Sequence, residues 1–289
     1  MASRTDHNNP SGAGKLDLTY HYEMLADEQR LSAFEQAINA TCHGKRVLDC
    51  GVGTGILALM AARAGATQVY GVDIDPEVLQ VAEANVQDCG FANIKLLEKD
   101  SCKLTLADLD DEPVDVVICE NLSTWQVTEP IIAVKNRVNT RLVHPETIHL
   151  PAGVDNFVEP VQSRFLFKEL VELRCHYFEF SGTTKPRVLG EPALYNSVNF
   201  AMVNIPHWDN KIRVKITHPG SLNSLRLTSP VRIHNNLVFQ GSDTLMPPVI
   251  IPLPYDLPVE PGDVVEIQVR YEHLCSWGEV SCTAKLVQS

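Results

Sequence analysis

Glu120 and Glu129 stand nine residues apart in ENLSTWQVTE (120–129), a segment that holds one tryptophan, Trp125, and no basic residue. Two carboxylates without a positive neighbour in sequence suit one of two settings. In the first they are ordinary surface: Glu129, followed by Pro130, favours the first turn of a helix over EPIIAVKNRVNTRLV, where an acid complements the helix dipole, and Glu120 does no more than end a strand. In the second the missing charge arrives with a ligand. A guanidinium is planar and permanently cationic, so paired carboxylates hold it by charge-assisted, bidentate hydrogen bonds. A cation between them also keeps both ionised, where mutual repulsion would otherwise raise one pKa. Trp125 could wall such a pocket and stack on the cationic plane, or it could belong to the core.

A second group of residues has the chemistry of a nucleoside site. VLDCGVGTG (47–55) ends a strand in a glycine-rich turn before a helix, and Gly51, Gly53 and Gly55 permit a sharp turn and close approach of a ligand to the main chain. Ile56 stands where a dinucleotide fingerprint needs its third glycine, and no Gly-Lys-Ser/Thr phosphate loop is present. The turn, preceded by Asp49, therefore suits a ligand without a pyrophosphate. Asp73 ends VYGVD, where an acid can accept hydrogen bonds from both ribose hydroxyls. Asp100, with Ser101 beside it, follows IKLLEK at a place from which an adenine amine could be read. The plainer alternative is that the glycines serve a tight turn and the acids cap helices.

These residues meet only if a parallel sheet brings them to one edge. Between Arg46 and about Pro145, strand-like and helix-like segments alternate: KRVLDCG, GILALMAARAGA, TQVYGVDID, PEVLQVAEANVQDCG, IKLLEKD and VDVVICE. Such alternation predicts a parallel sheet with crossover helices. Asp75 and Pro76 start the second helix and Gly90 ends it, in the usual order of start and stop signals. From Pro145 onward, where 14 of the 18 prolines lie, short β-rich segments follow one another, including KIRVKIT, LRLTS, VRIHNNLVF and VVEIQVRYEHL. VVEIQVRY alternates apolar and polar, as a strand with one wet face does. The expected fold is α/β, a Rossmann-like domain with a parallel-rich sheet followed by a β-barrel-like all-β domain. The expected divisions are a flexible N-terminus at 1–15, a nucleoside-binding domain with an N-terminal helix at 16–145, and a second domain at 146–289.

Composition narrows the partners. At 289 residues and 44% hydrophobic content the chain can bury sizeable cores. A formal net charge of -12 repels phosphate backbones and anionic lipid, so neither nucleic acid nor membrane is expected. No apolar run approaches the roughly 20 residues of a membrane span and the N-terminus lacks the apolar centre of a signal peptide, so a cytoplasmic protein is expected. The eight cysteines form no CxxC pair and read as small buried hydrophobes, with no metal expected.

On these residues the chain resembles a family. VLDCGVGTGILALMAARAGA and the acid of VYGVD look like the first motifs of class I methyltransferases that use S-adenosyl-L-methionine. HYEMLADEQR (21–30) is similar to the H-x-E-M-L-x-D-E-x-R stretch of protein arginine methyltransferases, matching at His21, Glu23, Met24, Leu25, Asp27, Glu28 and Arg30. The resemblance implies that His21, Met24 and Arg30 meet the cofactor, Met24 near its sulfonium and Arg30 on its carboxylate. It implies that Asp49, Gly51 and Gly53 hold the cofactor's amino acid end, and that Glu120 and Glu129 clamp the substrate guanidinium. Read without the family, HYEMLADEQR is one amphipathic helix with a solvated charged face.

The resemblance runs to the C-terminus through HPETIHLPAG (144–153), GEP (190–192) and LTSP (227–230), and it thins on the acceptor side. CENLSTW replaces the family's SEWMG. The Thr-His-Trp loop has no match in GSDTLMPP (241–248), and PHW at 206–208 falls in the wrong order, so His207 reads as structural or surface. A remodelled acceptor site points to free arginine or another small guanidino compound, with arginine in a peptide as the alternative. A methyltransferase for another cationic amine and a non-catalytic cofactor-binding module are the remaining readings. FLFKELVELRCHYFEF (165–180) stands where the family carries a dimerisation arm, which implies a homodimer. Otherwise it is an apolar helix and strand packed inside the second domain.

Overall fold

The computed structural model describes residues 18–287; the flexible N-terminus expected at 1–15 lies outside the described residues. Helices α1 (Leu18–Leu25) and α2 (Glu28–Thr41) precede the first sheet. HYEMLADEQR is thus not one helix. The chain breaks at Ala26–Asp27, because the Asp27 side chain accepts the Arg30 amide at 3.0 Å and caps a new helix.

The α/β unit follows the expected alternation. Strands β1 (Arg46–Cys50), β2 (Gln68–Asp73), β3 (Ile94–Glu98), β4 (Val114–Cys119) and β5 (Val143–Leu150) are joined by α3 (Ile56–Arg63), α4 (Pro76–Cys89) and α5 (Ile131–Arg141). Every pairing in the sheet is parallel, in the order β3-β2-β1-β4-β5. The strand order reverses at β1, so the loops after β1 and β4 separate and leave a crevice at the carboxyl edge, the place where open α/β sheets bind ligands. β1 and β4 are buried on both faces, which is why VLD and VDVVIC are apolar without alternation. α4 begins at Pro76 with Asp75 as its cap and stops at Gly90, whose φ of 72° is left-handed.

β5 carries the first sheet past Pro145 as far as Leu150; the chain crosses at a cis Leu150–Pro151 bond and enters β6 (Gly153–Gln162). All pairing beyond that point is antiparallel. β6 is the spine of an eight-stranded curled sheet, and a three-stranded sheet of 207–215, 264–272 and 281–286 covers it. Strand 264–272 alternates buried and more exposed positions as VVEIQVRY predicts. Residues 165–180 contain no helix: Leu166–Phe167 and Val171–Glu172 form a small hairpin and Tyr177–Phe178 joins the large sheet.

Two apolar cores result. The first fills the α/β unit and takes in Val154, Val231 and Phe239 from the second sheet. The second lies between the β layers and takes in Trp125 and Val127 from the loop after β4. That crossover of side chains locks the loop bearing both glutamates to the β domain.

Candidate active site

A cavity of about 280 Å³ opens at the carboxyl edge of the parallel sheet, lined from α1 and α2, from the turns after β1, β2 and β3, and from the loop after β4. His21, Met24, Arg30, Gly51, Gly53, Asp73, Asp100, Ser101, Glu120 and Glu129 all stand on its wall. Residues from five separate parts of the sequence therefore share one space.

The glycine turn makes close approach unavoidable. Gly51 has φ of 78° and a Cβ there would sit 2.7 Å from the Asn121 amide nitrogen, while a Cβ at Gly53 would press the His21 ring at 3.2 Å. Gly53 donates its amide to Asp73 Oδ2 at 2.9 Å, and the Asp75 amide donates to Asp73 Oδ1 at 3.0 Å. Each carboxylate oxygen retains a lone pair that a hydroxyl can use. Asp100 accepts the Cys102 amide at 2.9 Å and starts a short 3-10 turn containing Ser101.

Gly55 and Asp49 take other places. Gly55 caps α3 with φ of 91° and packs on Ala82. Asp49 is buried beneath the turn instead of on the cavity wall, with neither carboxylate oxygen hydrogen-bonded. Burial first, then the Cys119, Glu120 and Asp73 charges, pushes its pKa well above the usual carboxylate range.

Arg30 and Glu120 form a buried ion pair, with side chains 4% and 8% exposed. Arg30 Nη1 also donates to the Met24 carbonyl at 2.6 Å. Two groups of the pair are left over: Arg30 Nε, a donor, and Glu120 Oε1, an acceptor, are buried without a partner. Burial raises the Glu120 pKa and Arg30 opposes that shift. Among the described residues Glu129 has no such counter-charge; burial and then the Glu120 carboxylate push it up to about 7. Ser123 Oγ accepts the Thr128 and Glu129 amides at 3.0 and 3.2 Å and sets the turn that returns Glu129 towards Glu120.

Trp125 does not wall the cavity. It is fully buried in the second core, stacked on Tyr195 with ring centroids 4.7 Å apart. Its Nε1 lies 3.2 Å from both the Phe157 and Thr228 carbonyls, and its amide donates to Ser229 Oγ at 2.8 Å. An indole satisfied by two buried carbonyls belongs to a core, so the expected cation contact is corrected to an anchor for the loop. His207 is exposed at the start of its strand, away from the cavity.

Other wall residues were missed. Tyr20 lines the cavity, its hydroxyl donating to the Thr244 carbonyl at 3.2 Å, and burial followed by the Glu120 and Glu129 charges holds the phenol neutral. Leu245 and Leu274 are the two wall residues from the β domain. Leu245 falls in the GSDTLMPP loop, whose Ser242 and Thr244 hydroxyls donate to Asp27. Position in that loop was the one available signal for Leu245; nothing local marked Tyr20 or Leu274.

A glycine cradle, a strand-end acid and a carboxylate pair thus share the carboxyl edge of a parallel sheet backed by a curled β domain, and residues 47–140 match the family described as a methyltransferase domain. An uncharacterized protein of Methanocaldococcus jannaschii, MJ1452, is 28% identical over 81% of this chain and 85% of its own. An arginine N(omega)-methyltransferase of Streptomyces achromogenes is 32% identical over 46% of this chain and 38% of its own. The solved Trypanosoma brucei PRMT1 enzyme-prozyme heterotetrameric complex with AdoHcy shares the fold at a TM-score of 0.75, with 17% identity over 93% of this chain and 98% of that one. The chain is a class I S-adenosyl-L-methionine-dependent methyltransferase related to the protein arginine methyltransferases.

Proposed function

We propose that this enzyme methylates an arginine guanidinium, in free arginine or another small guanidino compound. The observation that carries this reading is the pair Glu120 and Glu129 on one cavity wall. One has a buried oxygen without a partner and the other is pushed up to about 7 for want of a counter-charge. A guanidinium supplies the missing cation and fills both deficits. The name of the Streptomyces relative agrees with a free arginine acceptor. The β domain offers the cavity only the apolar side chains of Leu245 and Leu274, which suit an alkyl stem and present no side-chain hydrogen bond to a peptide.

The residues present fit the cofactor. Gly51 and Gly53 leave room against Asn121 and His21, Asp73 has lone pairs for a ribose, Asp100 and Ser101 line the cavity where they would meet the base, and Arg30 Nε is a buried donor in want of an anion such as the cofactor's carboxylate. Met24 would stand beside the sulfonium, while Asp49, buried beneath the turn, would support the turn and not touch the cofactor. When bound, the cofactor supplies an activated methyl group.

The chain's own residues do the rest. Glu120, held by Arg30, and Glu129 fix the guanidinium plane so that one nitrogen faces the methyl. By drawing positive charge to the nitrogens they contact, they leave the third more nucleophilic. Methylation of a cation leaves one proton to lose, and Glu129, on the same cavity wall, is placed to take it.

The test is mass spectrometry of the enzyme with S-adenosyl-L-methionine and, separately, free arginine and an arginine-rich peptide. A gain of one methyl on free arginine is expected, reduced about 100-fold or more in Glu120→Gln and in Glu129→Gln, on the scale of losing one transition-state contact. Methylation of the peptide alone would overturn the small-molecule reading, and methylation of neither would overturn the guanidinium reading.

A further inference from the structure

Beneath the crevice lie two thiols that methyl transfer does not use. Cys50 is the last residue of β1 and Cys119 the last of β4, and they are direct partners in the parallel ladder. Neighbouring strands stand about 4.8 Å apart, inside the roughly 4.4–6.8 Å range of Cα separations in disulfides. Both side chains are buried, yet Cys119 Sγ lies 3.4 Å from Oδ1 of Asn121, which lines the cavity. Asn121 thus links the Cys119 thiol to the cavity wall.

A cation stands behind them. Lys135 of α5 is fully buried, with Nζ 3.2 Å from His149 Nδ1 and 5.9 Å from the centre of the Phe200 ring. Burial and Lys135 push His149 down to about 3, so the imidazole is neutral and accepts from the amine. Among the described residues no carboxylate pairs with Lys135; burial lowers its pKa, and Cys119 and Cys50 are what sustain its charge. The Cys119 thiol is lowered first by its hydrogen bond with Cys50, against the effect of burial, and then by Lys135, while that same bond and burial push the Cys50 thiol up. The thiolate is the form that a peroxide oxidises once it reaches it, and of the two thiols Cys119 is the one whose surroundings favour that form.

We propose that Cys50 and Cys119 are an oxidative modification site, closed to a disulfide by hydrogen peroxide, that switches off cofactor binding. The Cys119 thiolate attacks one peroxide oxygen, the O–O bond breaks, and hydroxide leaves to be protonated to water. Cys50 then attacks the resulting sulfenic acid, the S–O bond breaks, and a second water leaves with the Cys50 proton. Two thiols are oxidised and one peroxide is reduced. Gly51 follows Cys50, and Glu120 and Asn121 follow Cys119. The crosslink joins the two strand ends that carry Gly51 and Asn121, and the main chain at Gly51 runs so near Asn121 that a Cβ there would lie 2.7 Å away, so any shift of either strand end reshapes the crevice.

The test is independent of the acceptor, because its readout is calorimetric binding of S-adenosyl-L-methionine together with peptide mapping of the full chain after peroxide. The expected result is a Cys50–Cys119 crosslink with cofactor affinity reduced at least tenfold and restored by dithiothreitol. Cys119→Ser is expected to keep its affinity through the same treatment. Cys50→Ala, which cannot close the bond, is expected to yield a Cys119 sulfenic acid trapped by dimedone. Binding loss while both cysteines remain thiols, loss of the same size in Cys119→Ser, or a crosslink that leaves affinity unchanged would each overturn the proposal.

Discussion

Glu129 is the residue whose environment says most about the reaction. Its pKa of about 7 is set by burial and by Glu120, so in the empty site it is largely protonated at pH 6 and ionised at pH 8. Acceptor binding needs the ionised form, and KM for the guanidinium is expected to fall as pH rises towards 7 and to level above it, with no such slope in Glu129→Gln. Stability has the opposite sign. A carboxyl whose pKa is raised in the folded state contributes stability that is complete below about 4.5 and lost as pH rises through about 7. Glu129→Gln is therefore expected to be more stable than the parent at pH 8, by up to about 3 kcal/mol, and to match it near pH 4 in urea unfolding. The gathering of Gly51, Gly53 and Asp73 at one strand-end edge was legible from type and spacing, whereas the two glutamates stood out only as acids without a positive neighbour and the resemblance supplied their clamp role. The Arg30–Glu120 pair was not: Arg30 and Glu120 are 90 residues apart, and only the fold shows that the acid already has one cationic partner.

At the scale of elements, the loop from Glu120 to Glu129 depends on a residue it buries elsewhere. Trp125 and Gln126 adopt left-handed φ of 56° and 54°, a conformation that costs free energy outside glycine. The Trp125 hydrogen bonds, and the buried Gln126–Asn156 amide pair at 3.0 Å, offset that cost. Trp125→Ala is expected to destabilise the protein by about 3–5 kcal/mol and to weaken acceptor binding more than cofactor binding, by denaturant unfolding and calorimetry. Gly51→Ala should do the converse: left-handed φ and the Asn121 contact oppose any Cβ, so cofactor affinity is expected to fall at least tenfold. A sequence shows that a tryptophan lies between two acids, but whether it points into the site or away is decided by strands more than 30 residues downstream. The break at Ala26–Asp27 was hidden for a related reason, because Asp27 is both the cap of α2 and the acceptor of hydroxyls from residues 242 and 244.

At the scale of the molecule, the parallel half announced itself by periodicity, since crossover helices and doubly buried strands leave a regular pattern. The β half did not reveal its pairings, because short antiparallel strands carry little record of which neighbour each will take. The segment 165–180 shows the difference. The resemblance implied an arm there and the apolar content a helix and strand packed inside the second domain, and the segment forms a hairpin that leaves Leu166, Phe167, Leu170, Val171 and Leu173 exposed, Leu170 at 84%. Apolar clusters of this kind on soluble proteins mark association surfaces, and we expect a homodimer in which the hairpin is buried by a second copy. Leu170→Asp together with Val171→Asp should shift the protein from dimer to monomer in light scattering, without lowering cofactor affinity, since neither residue touches the cavity. A parent protein that stays monomeric at every concentration measured would remove the hairpin from any role in assembly. It would leave the cavity, its glutamates and the thiol pair beneath it as properties of the single chain.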